Sequence, residues 1–176
     1  MGIGAAGARR GRVLVAGAAM AFVVLLGVVS LFSDMTYEGA RSLHGQFLKI
    51  LGSSALAVGV AAGAGEFLGY AVRLVSGHVA DRSGRYWAVT LIGYAINLLA
   101  IPAMALAGQW PLAIALLFLE RIGKGIRNPA RDAMLSYATS QMGRGFGFGL
   151  HEAMDQAGAI LGPLAVAGVL AVRLGA

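Results

Sequence analysis

From residue 13 to residue 32 the chain runs for about twenty residues without a charged side chain, the length an α-helix needs to cross a bilayer. Four more apolar segments follow, at about residues 55–80, 87–107, 112–137 and 148–172. In hydrocarbon the backbone finds no partner but itself, so each segment must close its hydrogen bonds as a helix. Charged residues make up only 12% of the 176, against about 25% in soluble domains. Such a surface cannot be wetted all round, and lipid must be the solvent for much of it. The 27 glycines lack the three-residue period of collagen; small residues let helices approach closely in a bilayer. These features predict an all-α membrane protein, a bundle of about five transmembrane helices.

The chain divides into a basic N-terminal arm, residues 1–12, and a transmembrane helical domain, residues 13–176. Net charge is +6. In a soluble protein that excess suggests nucleic acid. Here the basic residues flank apolar spans, so topology and anionic headgroups account for them and no nucleic-acid partner is expected. Arg9, Arg10 and Arg12 precede the first span as in a signal peptide, but the span exceeds the 7–15 residues of a signal core and no small-residue cleavage site closes it. It is predicted to be retained. A cytoplasmic N-terminus puts Arg82, Arg85, Arg131 and Arg144 on the same side as the arm, with Lys124 and Arg127 nearby. Only Arg41, Lys49 and Arg173 then lie outside, as the positive-inside rule requires. Trp87 and Trp110 mark interfaces. Five spans would leave the C-terminus outside, so a sixth helix is expected to be missing. The expected location is a bacterial or archaeal cytoplasmic membrane.

With no cysteine, neither a disulfide framework nor a thiolate metal site can form. Metal-ligand spacings, P-loops and nucleophile elbows are absent from the sequence. His151-Glu152 starts like a zinc-protease motif, but position 155 is Asp where the second His would stand. No enzymatic activity, metal or cofactor is expected.

Chemistry concentrates between the second and third segments, in Gly77-His78-Val79-Ala80-Asp81-Arg82-Ser83-Gly84-Arg85. Gly77 permits close backbone approach and Gly84 a tight turn with positive φ. Asp81 can accept charge-assisted hydrogen bonds, while Arg82 and Arg85 remain at the headgroups. This pattern resembles the G-x-x-x-D-R-x-G-R loop of the major facilitator superfamily. Glu120-Arg121-Ile122-Gly123-Lys124-Gly125 is similar to that family's fourth-helix pattern in its Arg121 and Gly125. Gly158-Ala159-Ile160-Leu161-Gly162-Pro163 resembles its fifth-helix antiporter motif, although Val166 and Ala167 stand where further glycines are expected; plain small-residue packing with a proline kink explains the same residues. The resemblance covers about residues 18–172. It implies about half of a twelve-helix fold and a secondary transporter of a small solute, proton-coupled, with antiport or efflux as one direction, working by alternating access. It further implies a gating loop of Gly77, Asp81, Arg82, Gly84 and Arg85. The competing expectation is a half-transporter or fragment that moves nothing and assembles with a C-terminal half or a second copy.

Ionisable groups within apolar spans should face protein or water. Arg121 falls near mid-bilayer. Composition alone makes residues 34–50 an exposed loop, whereas the resemblance extends the first helix to about residue 45. Asp34, Glu38 and Arg41, spaced four and three, then share one face. Glu66 and Arg73, seven apart, share a face of the second helix, and Asn97 sits on the third. With Arg121 these form the expected proton and substrate cavity, lined by helices one, two, four and five, with helix three peripheral. Lys124 and Arg127 are expected to pair with Glu152 and Asp155 between helices four and five. His44, His78 and His151 are expected at interfaces.

Overall fold

The computed structural model describes residues 3–140 and 142–174, with side chains from 17 to 173. Among the described residues there are five helices and no strand: α1 (Ile3–Ile50), α2 (Ala55–Ser83), α3 (Tyr86–Ala105), α4 (Trp110–Thr139) and α5 (Arg144–Leu174). The basic arm, residues 1–12, lies outside the residues whose side chains are described. α1 continues without a break through residues 34–50, so an exposed loop is excluded there. Asp34, Tyr37, Glu38, Arg41 and His44 recur every three or four positions on the face toward α4, which lowers hydropathy without interrupting the helix.

Short turns join the helices, and their chemistry is local. Ser54 caps α2, its hydroxyl accepting from the Ala57 N–H at 3.2 Å. Gly84 ends α2 with φ +64° and donates its N–H to the Ala80 carbonyl, a left-handed cap that glycine adopts without a Cβ clash.

α4 is the centre of the assembly. α2 runs parallel to it, with Gly65, Gly69 and Gly77 against Leu117, Arg121 and Pro129. α3 runs antiparallel on another flank. A Cβ at Gly93 would lie 2.5 Å from the Arg127 nitrogen, and one at Gly123 would overlap the Asn97 backbone. α1 crosses α4 antiparallel and carries α5 in parallel on its other side. There Gly158 and Gly162 sit against the Leu31 and Met35 carbonyls so closely that a Cβ at either would overlap them. Such backbone contact is how helices gain packing in lipid.

By length and hydropathy α1, α2, α3 and α5 can cross a membrane. α4, predicted as a span, does not meet that standard alone. It carries Glu120, Arg121, Lys124, Arg127, Arg131 and Asp132, but Glu120, Arg121, Arg127 and Arg131 are buried against its neighbours. Phe32, Phe67, Leu74, Leu99 and Val169 face outward on the other helices, as a lipid-facing surface requires.

Candidate functional site

α1 turns Ser30, Ser33, Asp34, Tyr37, Glu38, Arg41 and His44 toward α4, where Glu120, Arg121, Lys124, Arg127 and Arg131 recur at the same three- and four-residue spacing. Because the helices are antiparallel, the two rows close like a zip. His44 Nε2 lies 3.4 Å from Glu120 Oε2, and Arg121 donates to the Tyr37 hydroxyl. Lys124 Nζ lies 3.6 Å from both Glu38 and Asp34 and 3.7 Å from the centre of the Tyr37 ring. Arg127, 0% exposed, donates to Asp34 Oδ1 at 2.6 Å and Ser33 Oγ at 2.7 Å. Its guanidinium lies 4.5 Å from the Tyr94 ring centre. Arg131 donates to Ser30 Oγ at 3.3 Å, and the same hydroxyl lies 3.1 Å from His151 Nε2 and 3.3 Å from the Tyr94 hydroxyl. A charge at the bilayer centre costs several kcal/mol or more when isolated; here each cation of α4 has an anionic or hydroxyl partner on α1.

α2 supplies the open side. Glu66 accepts from Arg121 at 2.5 Å and from Arg41 at 3.1 Å, and Arg41 also approaches Glu38 at 3.5 Å. Glu66 and Arg41 are 41% and 45% exposed, so this pair lies on accessible surface. Beside it is a cavity of about 180 Å³ lined by Tyr37, Arg41, Glu66, Tyr70, Arg73, Arg121 and Lys124, with Gly69 and Gly125 as its floor. Both glycines sit near the middle of their helices, where a Cβ on Gly125 would come 2.6 Å from the Gly69 carbonyl. The cavity therefore lies at about mid-bilayer depth. Ser76 fastens this crossing, its hydroxyl donating to the Gly125 carbonyl at 2.9 Å.

Several sequence-based expectations need correction. Lys124 and Arg127 pair with α1, not with Glu152 and Asp155, because α1 lies between their faces and α5. Asp155 instead meets Arg131 at 3.6 Å. Glu152 is exposed and accepts from Gln156 at 2.9 Å. Asn97 does not reach the cavity: it is fully buried and donates to the Glu120 carbonyl at 3.1 Å, brought there by the side-chain-free Gly123. α5 contributes no residue to this cavity, since its glycines lock it to the far side of α1. His44 and His151 are buried rather than interfacial, while His78 is exposed. Pro163 stays within a continuous α5. In the loop, Gly77 meets Pro129, where a Cβ would come 3.3 Å from the proline's own. Asp81 accepts from the Tyr86 hydroxyl at 3.2 Å. Arg82 and Arg85 are exposed.

Tyr37, Glu120, Ser30 and Ser33 were not singled out from the sequence. Tyr37 falls between Asp34 and Arg41 on their shared face, a signal that was available. Glu120 is 0% exposed, and neither of its carboxylate oxygens has a hydrogen-bond partner among the described residues.

Against known proteins, the family described as Major Facilitator Superfamily matches residues 11–176. An uncharacterized protein of Mycobacterium tuberculosis (strain H37Rv) is 51% identical over 151 residues, 86% of this chain and 37% of the relative. An uncharacterized MFS-type transporter of Methanocaldococcus jannaschii is 32% identical over 140 residues, 80% of this chain and 35% of its own. Multidrug resistance protein MdtH of Photorhabdus laumondii is 33% identical over 124 residues, 70% and 30% respectively. The chain spans about a third of the length of these relatives. No solved structure gives a significant match.

Proposed function

This chain belongs to the Major Facilitator Superfamily, and on that premise we propose that it forms part of a secondary transporter moving a small solute by alternating access, driven by protons. The observation that carries this reading is Glu66 held between Arg41 and Arg121 beside a mid-bilayer cavity. One carboxylate ties α1, α2 and α4 together through two guanidiniums. A proton on Glu66 removes the charge both arginines hold, so the three helices are tied less tightly and the balance between states shifts. That shift can be no larger than the difference in proton affinity between them. Tyr37 keeps one hydrogen bond to Arg121 throughout.

Arg41 and Glu152 are exposed and Glu66 and Asp132 partly so, polar groups that lipid would not solvate as it does Phe67 and Leu74. The rest of the transporter, or a second copy, would pack across it, enclosing the solute path. The α2–α3 turn with Arg82 and Arg85 would face the cytoplasm, with the N-terminus on the same side. Asp81 and its flanking arginines would act there as a gate that engages the opposite half in one state only. The printed name of the Photorhabdus relative, a multidrug resistance protein, makes efflux by antiport a second direction of the same cycle.

The test is proton movement in liposomes carrying the transporter and a pH-sensitive dye, challenged with a panel of solutes. A solute that drives proton flux in the native protein should fail to do so with Glu66→Gln, yet still exchange across the membrane. Arg121→Ala should abolish both. Unchanged proton-coupled transport in both variants would remove this mechanism.

A further inference from the structure

We propose that the cavity between α1, α2 and α4 binds an oxyanion, so that the solute carries a carboxylate- or phosphate-type group; this rests on the transport reading above. Around the cavity and the rows behind it, five cations (Arg41, Arg73, Arg121, Lys124 and Arg127) face four carboxylates (Asp34, Glu38, Glu66 and Glu120). Asp34 is taken by Arg127, Glu66 by Arg121, and Glu38 is shared between Arg41 and Lys124. Glu120 lies behind Arg121, against His44. One positive charge is left over at mid-bilayer depth.

That charge has a definite address. Arg73 lines the cavity, and no carboxylate among the described residues lies within ion-pair distance of it. Its guanidinium rests 4.8 Å from the centre of the Tyr70 ring, and its Nε is buried without a hydrogen-bond partner. It stands ten residues before the end of α2, about 15 Å inside the helix. Arginine does not escape by losing its proton; at this depth its charge must be met by water, by a neutral acceptor such as the Asn128 amide oxygen 3.3 Å from its Nη2, or by a counterion, and a neutral acceptor leaves room for the last. The planar fork of a guanidinium matches two oxygens of a carboxylate or phosphate. Across the cavity Arg121 and Lys124 supply further donors, and the Tyr37 and Tyr70 rings wall it.

Size decides how much of the solute enters. At about 30 Å³ per water, the cavity of about 180 Å³ holds roughly six waters' worth of space. Drug-sized ligands occupy about 300–1,000 Å³. The site therefore takes the charged group, and the rest of the solute projects into the space the partner half encloses.

The experiment uses the transporter in proteoliposomes on a solid support. Substrate-jump currents and thermal shifts are recorded for succinate and glycerol phosphate, for tetraethylammonium as cation, and for methyl glucoside as neutral probe. The two anions separate carboxylate from phosphate recognition. We expect saturable responses to an anion, weakened about tenfold or more in Arg73→Gln and partly restored in Arg73→Lys. Leu74→Ala, on the outward face, should leave them unchanged. Folding of the variants is checked by unliganded melting temperature. Responses to the cation or the neutral probe alone, or an anion response indifferent to Arg73→Gln in a folded protein, would overturn the assignment while leaving transport standing. Silence from every probe would count against the transport reading itself and remove this inference with it.

Discussion

Removing one partner of the Arg127–Asp34 pair should cost more than removing both. Arg127 is fully buried and donates to Asp34 at 2.6 Å and Ser33 at 2.7 Å. Arg127→Met strands Asp34 with Lys124, 3.6 Å away, as its nearest cation. Asp34→Asn strands the guanidinium on Ser33 and the Tyr94 ring. Breaking a buried pair from one side costs about 3–5 kcal/mol, whereas replacing both partners is often near neutral. Each single variant should thus lower the melting temperature by about 6–20 °C, at roughly 2–4 °C per kcal/mol for a chain of this size. The double variant should cost less than either single one, leaving a coupling energy of at least about 3 kcal/mol. Thermal unfolding in detergent, followed by the fluorescence of Trp87 and Trp110, measures all four corners of the cycle. Additive losses would refute the idea that these two side chains hold α1 on α4 as a unit.

Other variants probe the remaining seams. Gly158→Val or Gly162→Val should separate α5 from α1 at a cost of about 3 kcal/mol or more, since the Cβ would collide with a main-chain carbonyl rather than a movable side chain; loss of disulfide cross-linking between cysteines placed at positions 27 and 154, whose Cβ atoms would lie 3.5 Å apart, reports it. Gly168→Ala, with nothing within 4 Å of its Cβ, should be neutral or stabilise by up to about 1 kcal/mol, visible as a slightly raised melting temperature. Gly84→Ala forces an L-residue to φ +64° and should cost about 1–2 kcal/mol in the same assay. Asn97→Leu should destabilise by about 1–3 kcal/mol through loss of the bond to the Glu120 carbonyl and poor fit beside Gly123, without altering the apparent affinity for solute.

The helices were legible because unbroken apolar runs leave the backbone no alternative. Residues 34–50 were not legible from composition: a helix that carries one polar face reads as a loop until its three- and four-residue spacing is noticed. The ionisable groups announced themselves singly, since a charge in an apolar run must face inward. Their partners did not. Lys124, Arg127, Glu152 and Asp155 lie at comparable depth, and only the position of α1 between α4 and α5 decides that Asp34 and Glu38 win. The glycines divide the same way. Gly158 and Gly162 stood out as a motif, whereas Gly93 and Gly123 gain meaning only from the α4 and α3 backbones, respectively, pressed against them. Arg73 was read as one member of a face; its lack of a carboxylate partner is a fact of three dimensions.

The account depends on α2 presenting one wet face and one lipid face, and the absence of cysteine makes that directly measurable. Single cysteines at Ala62 and Tyr70, which line cavities, and at Phe67 and Leu74, which are 76% and 80% exposed on the outward surface, would be treated with the membrane-impermeant anionic sulfonatoethyl methanethiosulfonate. Positions 62 and 70 should be modified about tenfold or more faster than 67 and 74, because only a thiol in water can form the reactive thiolate. Equal rates at 67 and 74 would place water where lipid is required and contradict the account.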